Sequence, residues 1–565
     1  MRATSIQRPM TYFFAGACLA AGLLVPLAGA AEPTPERTAP LFQNLGTHHH
    51  PITTTTPLAQ RYFNQGLVLT FAFNHAEAVR SFREAARLDP GCAMCYCGIA
   101  LALGPNINAA MEEPAAREAY AAVQEAIQRW EKASEAEKAY IQAMATRYQM
   151  DPPADRTALD AAYVNAMRQL ARRFPEDMDA AALFAEAIMD TMPWHYWTED
   201  GQPRPGTLEL LVTLEAIMAR APDHPLALHL YIHAVEASPN PKRGEAAADR
   251  LGNLVPGAGH LVHMPAHIYF RVGRYHDAAL TNERAALADE AYFAKRGIQG
   301  FYSAAYYSHN IHFLWQAAAI EGRSAEAIKA ARKLVGILPA ELVRDTPGAE
   351  QFLPMPLFAL AQFGRWEEIL NEPMPAEEFA YHRAMWRYAR GLALAAAGRL
   401  EEARHERGML DVLADSDAVR RLETARHAFP ASRLLLIAGL VLDAEIEEQQ
   451  GRMGEQLRYL EDAVEIQDGL PYMEPPYWYY PVRQTLGAAL LRSGRAQEAE
   501  AVFREDLKRN PRSGWSLYGL ARSLEAQGSV KAAADAQRQF ESVWKYADVT
   551  LTDSLTSRPV QARRN

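Results

Sequence analysis

Nine of the chain's 17 histidines fall between His224 and His312. An even spread over 565 residues would put about three there, so the enrichment has a cause. The spacings are helical. His229 and His233 stand four apart, as do His263 and His267; Glu236 follows His233 by three, and His309 precedes His312 by three. Residues three or four apart share one face of a helix. Two imidazoles so placed ligate one divalent transition ion, with further ligands from neighbouring helices. Zinc, copper and iron all suit such donors, and the sequence does not choose among them. No HExxH occurs, so the usual zinc-peptidase helix is absent. In a metal-dependent hydrolase or oxidoreductase, Glu236 or Glu186 would be the general base beside an ion with an open position. Because histidine titrates near neutrality, the same cluster also reads as a pH-dependent clamp for a peptide or anion, or as a hydrogen-bonded network.

The elements that must position these side chains follow from a repeat. Counting Ala59 as position 1, Tyr62 is at 4, Gly66 at 8, Ala78 at 20, Phe82 at 24, Ala85 at 27 and Pro90 at 32. Counting from Tyr480, Gly487 is at 8, Gly494 at 15, Ala499 at 20, Phe503 at 24 and Pro511 at 32. The pattern resembles the tetratricopeptide repeat, a helix–turn–helix unit of ~34 residues. Small residues at 8, 20 and 27 let two helices approach closely, and the proline ends the second. Weaker copies start near Gly259, Ser308, Ala384 and Gly514, and degenerate ones cover 93–255, 350–375 and 437–470. The expected fold is all-α, a tetratricopeptide α-solenoid whose helix pairs bury their apolar faces only by stacking.

In that frame, positions 2, 5, 9 and 12 of each first helix share the concave face. A unit begun at Pro225 puts His229, His233 and Glu236 at 5, 9 and 12; the unit at Gly259 puts His260, His263 and His267 at 2, 5 and 9; the unit at Ser308 puts His309 and His312 at 2 and 5. A looser frame from Met178 puts Glu186 at 9. Pro265 sits inside the second of these helices. A helix begun near Val262 tolerates it in the first turn, which leaves the orientation of His260 open. The segments Leu230–Ser238, Gly259–Tyr269 and Tyr306–Leu314 resemble those of a group of long, exported bacterial tetratricopeptide proteins, over roughly 45–550. The resemblance implies the repeat fold and brings no activity with it.

Residues 1–30 combine Arg2 and Arg8, an apolar run and Ala28-Gly29-Ala30, the make-up of a cleaved signal peptide. The mature chain is therefore expected to be periplasmic or secreted, with no membrane span. An extended leader (31–57) precedes N-terminal repeats (58–224), His-rich central repeats (225–341), C-terminal repeats (342–549) and a flexible tail (550–565). The formal charge of −10 argues against nucleic acid as partner and leaves a peptide or another exported protein. Long aromatic loops at 193–206 and 471–481 either plug the solenoid or stack on a ligand, through Trp194 and Trp197 in the first. Cys92, Cys95 and Cys97 are compatible with a local disulfide, plain packing or a soft metal, and His48-His49-His50 is expected to be solvated. The main expectation is a binding protein with a His-lined concave pocket; the rivals are a metal-dependent enzyme and a plain interaction scaffold.

Overall fold

Phe82 and Phe503 show how the sequence sets the architecture. A Cβ on Gly66 would lie 2.8 Å from the Phe82 ring, and one on Gly98 would lie 2.5 Å from it. The ring is thus clamped between the first helix of its own unit and the first helix of the next. Phe503 is held the same way between Gly487 and Gly519. Side chains at these glycines would force the helices apart, so each aromatic ring locks one helix pair onto its successor.

The computed structural model describes residues 39–297, 300–424 and 428–552, with the backbone of 561–562. The expected signal peptide lies outside the described residues. Helix pairs stack as a tetratricopeptide α-solenoid. The first is Pro57–Phe71 with His75–Leu88; the last two are Val482–Arg492 with Ala496–Arg509 and Gly514–Ala526 with Val530–Val543. The turns between paired helices need a left-handed residue, which glycine supplies at Gly322 (φ 77°) and Gly494 (φ 73°). The only named strands among the described residues are Val549–Thr550 and Gln561–Ala562, paired antiparallel. No described helix is long and apolar enough to cross a membrane.

The stack is held at both ends. Trp515 Nε1 donates to the Ala319 carbonyl at 3.2 Å. Asp548 accepts from the backbone amides of Ser324 and Ala325 at 2.7 and 2.9 Å, capping the helix Ser324–Gly336. At the other end, the helix Pro57–Phe71 lies against Pro225–Glu236. The described part of the leader, from Ala39 on, is strapped down. Tyr62 Oη donates to the Ala39 carbonyl, the Gly257 amide to the Asn44 carbonyl, and Thr53 donates twice to Glu137.

Candidate metal centre

Three consecutive first helices deliver the imidazoles. Pro225–Glu236 starts on Pro225, whose missing amide costs nothing there, and is capped by the His224 ring. The second helical stretch opens at Gly259, breaks at Met264 and restarts at Pro265, rather than beginning near Val262. Met264 stays in the right-handed helical region (φ −49°, ψ −39°), so the path continues across the break. His260 is thereby helical and turned inward, with only 2% of its surface exposed. A Cβ on Gly259 would run into the Asp289 carboxylate, which accepts from Tyr302 and Asn310. The third helix, Ser308–Ile320, follows a π-helical turn at Ser303–Tyr307. Such turns shift the register of whatever follows and recur at functional sites.

The result is two sets of three imidazoles. His229, His233 and His260 each place a ring nitrogen within 4.8 Å of the others, and so do His263, His267 and His309. The sets adjoin: the rings of His233 and His267 are 5.5 Å apart, and those of His260 and His263 are 5.9 Å apart. His229 and His263 have no measurable exposure, His233 and His267 have 2%, and His309 is half-buried. The imidazoles form an interior centre, not the wall of an open groove. The turn of the first repeat, through Phe73, and Trp194 from the loop 193–206 pack against them.

Hydrogen bonds fix the proton on four rings. His229 Nδ1 donates to the Phe71 carbonyl (2.8 Å), His233 Nδ1 to Glu236 Oε1 (2.7 Å), His263 Nδ1 to Asn282 Oδ1 (2.7 Å) and His267 Nδ1 to Glu236 Oε2 (2.5 Å). Asn282 is oriented by its own amide, which donates to the Ala278 carbonyl. All four partners accept, so in the neutral rings Nε2 carries the lone pair. These nitrogens face one another. His263 Nε2 and His267 Nε2 are 2.9 Å apart, and His309 Nε2 is 3.5 Å from the latter. In the first set, His260 Nε2 is 3.2 Å from His229 Nε2, and His233 Nε2 has no hydrogen-bond partner. Burial pushes the pKa values of His229, His260, His263 and His309 well below the ordinary imidazole range, and neighbouring imidazoles push the same way.

Glu236 is not placed as a general base. Both oxygens are taken by imidazole N–H groups. Burial would raise its pKa, but His267 and His233 outweigh that and hold it at about 2. It is an ionised anchor. Glu186 joins a different cluster: burial lifts it to about 7 against the opposing charge of Arg147, which also pairs with Asp190 at 2.7 Å. His312 leaves the set as well. Its ring stacks on Trp315 at 5.6 Å and meets Phe352 edge-on at 5.4 Å. Trp194 does reach the centre: its ring meets His233 edge-on at 5.0 Å, and the residue remains 41% exposed. Trp197 ties its loop to the central helix by donating to the Ala234 carbonyl at 2.8 Å.

Several residues at the centre lie beyond the reach of the histidine pattern. Phe73, at φ 55°, occupies the turn position where later repeats carry glycine. Its ring lies 4.6 Å from His229, 5.3 Å from His260 and 6.3 Å from His233. A left-handed phenylalanine costs about 1–2 kcal/mol, and strain of this kind gathers at functional sites. Glu474 comes from the loop 471–481. Burial, opposed by Arg271, brings its pKa to about 7, and the charge of Glu236 and that of His267 both act on it. Tyr472 donates to its Oε1 at 3.0 Å.

A second group surrounds Asp179. His48 Nε2 (2.9 Å) and His224 Nε2 (3.1 Å) face one oxygen, and His50 Nδ1 (2.8 Å) faces the other. So His48 and His50 are not solvated; they fasten the leader. His224 Nδ1 accepts from the Ala227 amide, which puts the ring proton on Nε2 and takes that nitrogen out of metal binding. Cys92 and Cys95 form a disulfide, and Cys97 is a buried thiol whose pKa burial raises to about 12.

No protein-family model matches the chain, and no curated protein matches it. Among solved structures, the chain is similar to a human IFIT1 dimer with m7Gppp-AAAA, at 11% identity and TM-score 0.30, covering 87% of this chain and 91% of that one. It is also similar to the APC/C hetero-tetramer Cut9–Hcn1, at 11% identity and TM-score 0.28, covering 88% and 76%. Likenesses that loose carry no argument about the site.

Proposed function

We propose that the chain is a binuclear metalloprotein, with one ion held by His229, His233 and His260 and the other by His263, His267 and His309. One observation carries this reading: two buried lone pairs, on His263 Nε2 and His267 Nε2, face each other at 2.9 Å. Between neutral rings that contact is repulsive. A cation shared by both nitrogens makes it attractive, and each ring already has the outer hydrogen bond that metal-bound imidazoles use for orientation. The inner donors are all imidazole, with carboxylate only behind them. That set suits copper, zinc or iron rather than magnesium or calcium, and the affinity order puts copper first.

Three imidazoles per ion leave coordination positions open for a small ligand between adjoining ions. With copper or iron the reaction class is oxidoreductase. Glu474, poised near neutrality beside His267, is then the acid–base group in place of Glu236. Export to an oxidising compartment fits the composition of residues 1–30 and the Cys92–Cys95 disulfide. A peptide or exported-protein partner would have to use the exposed helix faces, since the imidazoles are buried.

Elemental analysis of tag-free protein tests the proposal. Two equivalents of transition metal per chain are expected. His263→Ala with His267→Ala should remove one equivalent or both while the far-ultraviolet circular dichroism stays helical. Wild-type protein that takes up no ion when offered copper, zinc or iron would refute it.

A further inference from the structure

One carboxylate serves both sets of imidazoles. Glu236 Oε1 accepts from His233 Nδ1 at 2.7 Å, and Oε2 accepts from His267 Nδ1 at 2.5 Å. The first ring belongs to one triad and the second to the other. Glu236 has no measurable exposure, so no water competes for either oxygen. The remaining orienting bonds are private to one triad each: the Phe71 carbonyl holds His229, and Asn282 holds His263. The Glu236 backbone is fixed too, because Arg271 Nε donates to its carbonyl at 3.0 Å.

We propose that Glu236 is a positioning residue that makes the two metal sites load as a unit, an ion in either triad raising the affinity of the other. This inference rests on the binuclear reading above. An ion on His233 Nε2 fixes that ring, and the ring's Nδ1–H fixes the plane of the carboxylate. The same plane presents the second oxygen to His267 before the second ion arrives. The cost of ordering His267 is thus met once for both sites. The ionised carboxylate also sits behind a ligand of each cation, where its charge offsets part of their mutual repulsion. Linkage makes the effect reciprocal, so either triad fills first with the same total coupling.

Metal-stripped, tag-free full-length chain is titrated with Cu(II) alone, and in a parallel series with Zn(II) alone, and the loaded species are counted by native mass spectrometry. Wild-type chains should hold zero or two ions, with the singly loaded form well below the roughly one-half expected of two equal independent sites at half-saturation. Glu236→Gln preserves shape but leaves one imidazole N–H facing an amide NH2, which cannot accept. In that variant the singly loaded chain should accumulate, and affinity for the second ion should fall by about 10–100-fold. Asn282→Ala should weaken loading yet keep the singly loaded form scarce, because it removes a bond private to one triad. Independent loading of the wild type, or paired loading that survives Glu236→Gln, would overturn the coupling while leaving the two sites standing. A wild type that binds no ion overturns both readings. Should Glu236→Gln not fold, independent loading of the wild type still overturns the coupling, and Asn282→Ala still separates a shared bond from a private one.

Discussion

The first repeat and the repeat at 480–513 are built on one frame and do different work. In each, a phenylalanine at position 24 is clamped between the glycine at position 8 of its own unit and the glycine at position 6 of the next: Phe82 by Gly66 and Gly98, Phe503 by Gly487 and Gly519. At position 15 they part. The later repeat has Gly494, left-handed at no steric cost; the first has Phe73 in the same backbone region, its ring against the imidazoles. The inner helices differ in the same spirit. The helix Val482–Arg492 is plain packing, whereas the end of Pro57–Phe71 gives its last carbonyl to His229. The packing frame is indifferent to chemistry, so one turn residue and one carbonyl turn a structural unit into part of a site.

The largest test of this contrast is to empty the two aromatic clamps. Phe82→Ala and Phe503→Ala should each cost about 3–5 kcal/mol by urea denaturation. Only Phe82→Ala should also lower metal content, since only its unit touches the imidazoles. Equal metal loss in both would erase the distinction. A smaller effect is expected at the turn. Phe73→Gly relieves about 1–2 kcal/mol of backbone strain but uncovers the first triad, so a chelator should strip metal about tenfold faster. Gly494→Phe should cost about the same 1–2 kcal/mol in thermal stability and leave chelator kinetics alone.

These contrasts also mark how far the sequence carried. The repeat frame was legible because close helix approach demands small residues at fixed positions. Six of the seven histidines picked out by the frame do converge, but in a buried centre rather than on a concave wall, and His260, whose orientation Pro265 left open, is turned inward. His312 does not: its ring stacks on Trp315 and meets Phe352 instead. Phe71, Phe73, Asn282 and Glu474 were invisible to the frame. Phe71, Phe73 and Glu474 reach the centre from distant parts of the chain, which local periodicity does not bring together; Asn282 shares a repeat with His263 but stands on its second helix, outside the first-helix frame. His48 and His50 escaped likewise: their partner, Asp179, is more than a hundred residues away.

An effect confined to acid pH concerns His312, the histidine that the centre excludes. Burial pushes its pKa to about 3, against about 6.5 in an unfolded chain. Between those values the unfolded chain takes up a proton that the folded one refuses. Stability therefore rises with pH across that window and is lost on acidification. Melting temperatures of metal-free protein should fall as pH drops below 6.5, and His312→Phe should flatten part of that slope. An unchanged slope would place the acid sensitivity elsewhere.

Asp548 capping a helix in mid-chain, with Trp515 bonded to Ala319, has a consequence for size. An open spiral of repeats gains or loses a terminal unit with little harm to the rest. Here the closing units are also the support beneath the third histidine helix. Trimming the last pair would strip the floor from Ser308–Ile320, and insertion of a whole extra unit ahead of it should be as damaging as deletion of one.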